Sequence, residues 1–346
     1  MVNWWKKEYY VSLVFLGLCV LCFIFSEVSF PFLLNQVIKR FTRDGIMVLA
    51  LIVPIVAGMG LNFAVTVGAM TAQGVLIFIL NYNFFGTFGL LLAFLISIIL
   101  SIIFGILIGN ALNVVKGKEM ITSIIIGFLA NYLYQLVFMV GFGTVITVHN
   151  KEIVLSKGIG VNNMVDLAPF NNTLNKIGLI SINGVEIPLF MICMVLIFSY
   201  MIYYLLNTRL GQRIRSIGMS EERAENIGID VNRTRVIALV ISTVIAAIGQ
   251  FVFVQDMGMI NVYTGHLNTD VFSCAALLAG GATIKNAQVK NALLGIFLLH
   301  TLFILSPLAG QNVFNNVSLG EYFRSFVAYG TIAFALIMNL KYDSAK

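Results

Sequence analysis

Between positions 45 and 115 the chain carries no Asp, Glu, Lys or Arg. The runs 120–150, 187–208, 236–255 and 291–320 are equally free of them. Such runs leave few folds open. A backbone in hydrocarbon must satisfy its own N–H and C=O groups, and only helices and closed barrels do so. A spanning helix needs about 20 mainly apolar residues, and these runs are long enough for many crossings. Charged residues make up 10% of the 346 positions, against about 25% in a soluble domain. The expected fold is therefore an all-α polytopic membrane protein, with a single transmembrane domain over 1–346.

The pattern predicts about ten spans, near 9–26, 46–60, 63–82, 88–113, 119–142, 187–206, 235–254, 271–284, 291–307 and 323–340. Pro54, Gly58, Gly60 and Gly68 crowd the junction of the second and third. That junction reads as broken helix, which membranes tolerate where backbone lines a cavity. The eighth span is short and ends at Gly280-Gly281, the pattern of a re-entrant segment. No small-x-small cleavage site closes the first span, which reads as one that stays.

Ten spans place both termini on one side. With that side cytoplasmic, fourteen of the 21 basic residues lie inside, as the positive-inside rule requires. The same distribution accounts for the net charge of +6 without a nucleic-acid partner. The localisation that follows is a cytoplasmic membrane, multi-pass and surrounded by lipid, with both termini inside. The basic cluster at 39–43 then falls outside and reads as an outward amphipathic segment. The segment 143–186 is an extracytoplasmic loop. It is long and polar, holds Asn162-Asn163 and Asn171-Asn172, and offers Val145-Ile146-Thr147-Val148 as a short strand. The segment 207–232 is the largest cytoplasmic loop and the most highly charged part of the chain.

Chemistry is sparse. No phosphate-cradling Gly-x-x-x-x-Gly-Lys-Ser/Thr loop occurs, and no His-Glu-x-x-His or other metal-ligand cluster. No cofactor, metal or catalytic group is expected. Cys19, Cys22, Cys193 and Cys274 read as small buried residues. His300 reads as a hydrogen-bonded histidine between packed helices. Asp270 is the one acid near membrane depth. It fits a helix N-terminus, because Asn268-Thr269-Asp270 precede an apolar run, and also a direct substrate role. Neutral polar residues in the spans include Asn62, Thr66, Gln73, Asn81, Asn110, Asn131, Gln135 and Gln250. Each could bond a polar solute or glue helices together. The substrate-pathway candidates are Asn62, Thr66, Gln73, Asn131 and Asp270, with Asn62 and Gln73 favoured by the glycines around them.

The cytoplasmic loop contains a short helix defined by its ends. Ser220 can cap it, Glu221 and Glu222 suit its positive end, and Gly228 can stop it in the left-handed conformation. Ala224 sits mid-helix with Glu221, Glu222, Arg223 and Glu225 around it. This is the form of a plug for a partner's groove.

This loop resembles the coupling loop of ATP-binding-cassette importer permeases for simple sugars and nucleosides, a family related to branched-chain amino acid permeases. Gly211, Arg215, Gly218, Ala224, Gly228 and Ile229 match in register, while Ser220 stands where the family has Asn. Ala-Ala-Leu-Leu-Ala-Gly-Gly at 275–281 is similar to the family's Gly-Gly element. Lys118-Glu119-Met120-Ile121 is similar to its nucleoside branch. The acid of the sugar branch is missing from Gly58-Met59-Gly60-Leu61-Asn62-Phe63.

The resemblance implies a transport subunit rather than an enzyme. It also implies ATP-binding subunits as partners, an extracytoplasmic substrate-binding lipoprotein and a second permease in a homo- or heterodimer. The coupling residues would be Arg215, Gly218, Ser220, Glu221, Glu222, Ala224, Gly228 and Ile229. The solute would be a nucleoside, nucleobase or simple sugar. The alternative is a secondary carrier or channel, against which the short charged helix and the scarcity of buried carboxylates both speak.

Overall fold

The computed structural model describes residues 4–170, 177–182, 184–267 and 269–344; Asn171, Asn172 and Asn268 lie outside them. The chain is mainly helical: α1 Trp4–Ser26, α2 Phe30–Ala50, α3 Ile52–Val56, α4 Val65–Asn81, α5 Gly86–Val114, α6 Glu119–Leu136, α7 Leu189–Asn207, α8 Arg209–Met219, α9 Glu221–Asn226, α10 Val231–Met257, α11 Thr269–Ala279, α12 Val289–Phe314 and α13 Val317–Ser344. A π turn, Val137–Gly141, prolongs α6. Among the described residues five segments are long and apolar enough to cross a membrane: α5, α6 with its π turn, α7, α10 and α12. Tyr10–Ser26, α4 and α11 are shorter apolar helices.

The core is built on α4 and α10, which pack on each other, with α2 and α5 also against α10. Small residues let the backbones meet. On α5, Ala93, Ser97, Ser101, Gly105 and Gly109 recur every fourth position and are all buried. A Cβ on Gly105 would stand 2.8 Å from the Cα of Val240, and one on Gly109 2.9 Å from the Cα of Val236. Close helix approach over small residues is how packing replaces the hydrophobic effect in lipid. By contrast α6 presents Phe128, Leu129, Tyr132 and Leu133 outward.

Two elements differ from the sequence reading. The second span begins well before 46, because α2 starts at Phe30 behind Ser29 and a proline at its first turn. It therefore takes the basic cluster 39–43 into the helix. The helical break falls at 57–64, between α3 and α4, and Gly68 lies inside α4. The residues 145–148 form no strand. Phe142 and Ile146 make an isolated bridge, and the strands of this region lie further on. Strand β1 (Met164–Asp166) pairs with β4 (Met259–Asn261), and β2 (Leu179–Ile182) with β3 (Val185–Pro188), both antiparallel. The β2–β3 hairpin marks one end of the bundle, and α8 with α9 marks the other. Cys19, Cys22 and Cys274 are buried free thiols, whereas Cys193 is exposed on α7.

Candidate functional site

The residues of α2 that the sequence placed in an outer segment divide between two roles. Lys39 is exposed and pairs with Glu186 of the hairpin at 2.6 Å. Arg40 next to it, and Arg43 and Asp44 one turn further along, line a cavity of about 320 Å³ between α2, α10, α11 and α12. Its far wall is His300 and Phe303 of α12 with Phe272 of α11, and α10 contributes Gln250 and Phe253. The cluster 39–43, read from the sequence as an outward amphipathic segment, thus lies within α2, and Asp44 is a second acid set among the helices beside Asp270.

The charges in this cavity are compensated locally. Asp44 receives Arg43 through two contacts of 3.4 Å and His300 Nε2 at 3.1 Å. The Arg43 guanidinium lies 5.0 Å from the Phe253 ring centroid, and that of Arg40 lies 6.0 Å from Phe303. Phe272 and Phe303 meet edge to face at 5.1 Å. Ring faces attract cations, and a paired carboxylate costs far less to bury than a lone one. The result is an aromatic box with guanidinium donors and a carboxylate acceptor. Such a site can grip a planar polar ring by its faces and its edge.

Beside the cavity stands a second polar cluster. His266, 1% exposed, joins Gln73 of α4 (Nδ1 to Oε1, 3.1 Å) to Asn131 of α6 (Nε2 to Oδ1, 2.7 Å). A neutral imidazole donates from one nitrogen only, so one of these amides presents its NH₂ to the ring. Tyr134 packs edge-on against His266 at 4.9 Å. Two pathway candidates, Gln73 and Asn131, thus meet through a histidine that the sequence did not single out. Among the described residues Gln73 Nε2 has no partner.

The other candidates do local work. Asn62 is 3% exposed and its Oδ1 accepts from the amide of Ala64 at 3.1 Å, shaping the turn into α4. Thr66 Oγ1 donates to the carbonyl of Phe63. Asp270 lies in the first turn of α11, its Oδ1 accepting from the amide of Val271 at 2.8 Å. None of these three lines the aromatic cavity.

At the opposite end, α8 and α9 form a bent pair. Ser220 caps α9, its Oγ accepting from the amide of Arg223 at 3.3 Å. Gly228 ends the turn with φ +81°. Both ends fall where the residue types demand. The face of α9 does not. Ala224 is 1% exposed and packs with Ile217 and Val231, with Ile229 against them. Its small volume serves the chain's own packing and is not free to admit a partner. Glu221 likewise turns inward, to Arg235 of α10 and to Lys116 at 3.1 Å. Arg215, Glu222, Arg223 and Glu225 are exposed, and so are Met219 at 86% and Ile227 at 71%. Gly218 meets Gly58, where a Cβ would stand 2.9 Å from the Gly218 Cα; Gly58 itself has φ +79°.

Apolar helices around buried polar clusters make this a multi-pass helical membrane protein. Comparison with known proteins narrows the class: the chain belongs to the family described as branched-chain amino acid transport system / permease component, which matches residues 33–336. It is also similar to the nucleoside ABC transporter permease protein NupC of Lactococcus lactis subsp. cremoris (strain MG1363). The two are 28% identical over 130 residues, which is 37% of this chain and 40% of that relative. No solved structure matches the chain.

Proposed function

We propose that the chain is the permease subunit of an ATP-binding-cassette importer for a nucleoside, nucleobase or simple sugar, with the α2–α10–α11–α12 cavity on the solute's path. Family membership across 33–336 supports the transport role. The single geometric observation that carries the importer reading is the α8–α9 pair. Its second helix, α9, has six residues and is capped at both ends, and the pair stands between two long apolar helices with Met219 and Ile227 exposed beside its charges. An apolar pair on a charged turn is what a groove on an ATP-hydrolysing subunit would receive. On this reading α8 and α9 are cytoplasmic, both termini lie on that side, and the β2–β3 hairpin faces an extracytoplasmic binding lipoprotein. A second permease, identical or related, completes the pathway, and the hydrolysis of ATP takes place on the separate partner chains.

Of the solutes proposed, the cavity favours a nucleoside or nucleobase. Phe272 offers a ring to a flat heterocycle beside the guanidinium-covered rings of Phe253 and Phe303, and Arg43 with Asp44 offers donors and an acceptor to its edge. About 320 Å³ lies at the lower end of the range for small-ligand sites. The test is uptake by vesicles holding the chain with its co-encoded ATPase and binding protein. Uptake of labelled uridine or adenosine that needs ATP inside and the binding protein outside supports the reading. Uptake by the chain alone, driven by an ion gradient, replaces it with the secondary-carrier reading.

A further inference from the structure

Arg235 is the bulkiest fully buried side chain in the structure among the described residues, at 1% exposure. It sits at the start of α10, at the α8–α9 end of the bundle. It reaches two carboxylates on two other helices, Glu221 through Nη1 and Glu119 through Nη2 at 2.5 Å. Glu119 is the first residue of α6, and Glu221 the first of α9. Lys116, on the connection from α5 to α6, closes the group by pairing with Glu221 at 3.1 Å.

The two kinds of contact differ in consequence. Lys116 and Glu221 are each about one-third exposed, and such pairs hold little. A guanidinium sealed from water cannot lose its carboxylates without heavy cost. So α9 can move only if α10 and α6 move with it, or if Arg235 exchanges partners. The same helix α10 carries Gln250 and Phe253 in the cavity wall, and fifteen residues of helix from 235 to 250 span about 22 Å. One rigid element thus runs from the surface pair to the solute cavity.

We infer that Arg235 is the joint through which movement of α9 is delivered to α10 and α6, a positioning residue for transport and not a docking or solute-binding one. The inference rests on the importer reading above. Without the joint, the partner ATPase would still dock and hydrolyse ATP, but the cavity would not respond.

The experiment uses the assembled complex in vesicles, with the four native cysteines replaced and a single cysteine placed at Thr264 in the cavity wall. The ATP-induced change in its labelling rate by a small maleimide is measured beside ATP hydrolysis. R235Q should keep hydrolysis and lose at least about four-fifths of the labelling response; R235K should recover part of it. E119Q and E221Q should each weaken the response, and the double variant should be no worse than R235Q, because all three cut one joint. An R235Q response equal to the parent's overturns the inference. Should R235Q fail to assemble, E221Q decides: its carboxylate is partly exposed, and an unchanged response in that variant overturns the inference equally. A parent complex whose labelling does not respond to ATP and that hydrolyses none overturns the importer reading itself, and the joint falls with it.

Discussion

Gly58 and Gly228 form a natural matched pair for testing how α8 is held. Both have positive φ, +79° and +81°, so alanine strains the backbone alike, by about 1–2 kcal/mol. They differ in their surroundings. A Cβ at Gly228 meets nothing within 4 Å, whereas one at Gly58 would stand 2.9 Å from the Cα of Gly218 and 3.6 Å from its carbonyl carbon. The first of those contacts is backbone and too close for any real Cβ, so α3 and α8 must part or twist. Overpacking of this kind adds about 1–3 kcal/mol. G228A is therefore expected to cost about 1–2 kcal/mol, and G58A about 2–5 kcal/mol from the two terms together. Thermal unfolding of the purified protein in detergent reads the difference. G58A should unfold several degrees below G228A, and protease cutting within α8 should rise in G58A first. Equal unfolding temperatures for the two variants would refute the α3–α8 backbone contact, since the strain they share would then explain everything.

Three further outcomes are expected. S220A removes the cap of a six-residue helix, a loss of about 1 kcal/mol, and amide exchange at 221–226 should quicken about five-fold; unchanged exchange would show that packing alone holds α9. A224W forces an indole among Ile217, Val231 and Ile229, so α9 should leave its seat and become protease-sensitive even with no partner present, and unaltered proteolysis would remove Ala224 from the buried cluster. H266A strips Gln73 and Asn131 of their shared partner at about 1–3 kcal/mol for each buried group left unpaired. Its unfolding temperature should fall clearly below that of a Tyr82→Ala control at the exposed residue just beyond α4, and parity would mean that both amides have other partners.

The α8–α9 element was legible because its determinants are local. A serine three residues before an amide it can cap, and a glycine where the chain must turn left-handed, act over a few bonds and need no knowledge of the fold. Gln73 and Asn131 were legible for another reason: an amide in an apolar helix is costly unless it finds a partner. Their partner was not. His266 lies in the link after α10, nearly two hundred positions from Gln73, and nothing in the local pattern ties them. Asn62 and Thr66 carried the same polar cue but spend it on their own turn, the habit of short polar side chains near helix starts. The hairpin, by contrast, has a plain local cue in the Asn183-Gly184 dipeptide.

The misreading of α2 shows the limit of charge as a boundary marker. In the sequence reading the second span begins near 46, beyond Arg40, Arg43 and Asp44, and a lone charge in a membrane helix is expensive. That expense belongs to uncompensated charges. Here one carboxylate serves Arg43 and His300, and two ring faces serve the guanidinium groups, so the helix carries its charges into the bundle. Compensation also fixes where the cavity can sit. His300 and Phe303 belong to α12, which packs with α1, α11, α13 and α2, whereas Arg43 and Phe253 belong to α2 and α10, which pack on each other. The cavity therefore lies where α2 and α10 meet α11 and α12, and the contact of Asp44 with His300 joins α2 to α12. At the other end α8 and α9 pack on α3, α7 and α10. On the proposed importer reading, a push on α8 and α9 reaches the cavity through α10, whose Gln250 and Phe253 share the cavity lining with Asp44 and His300.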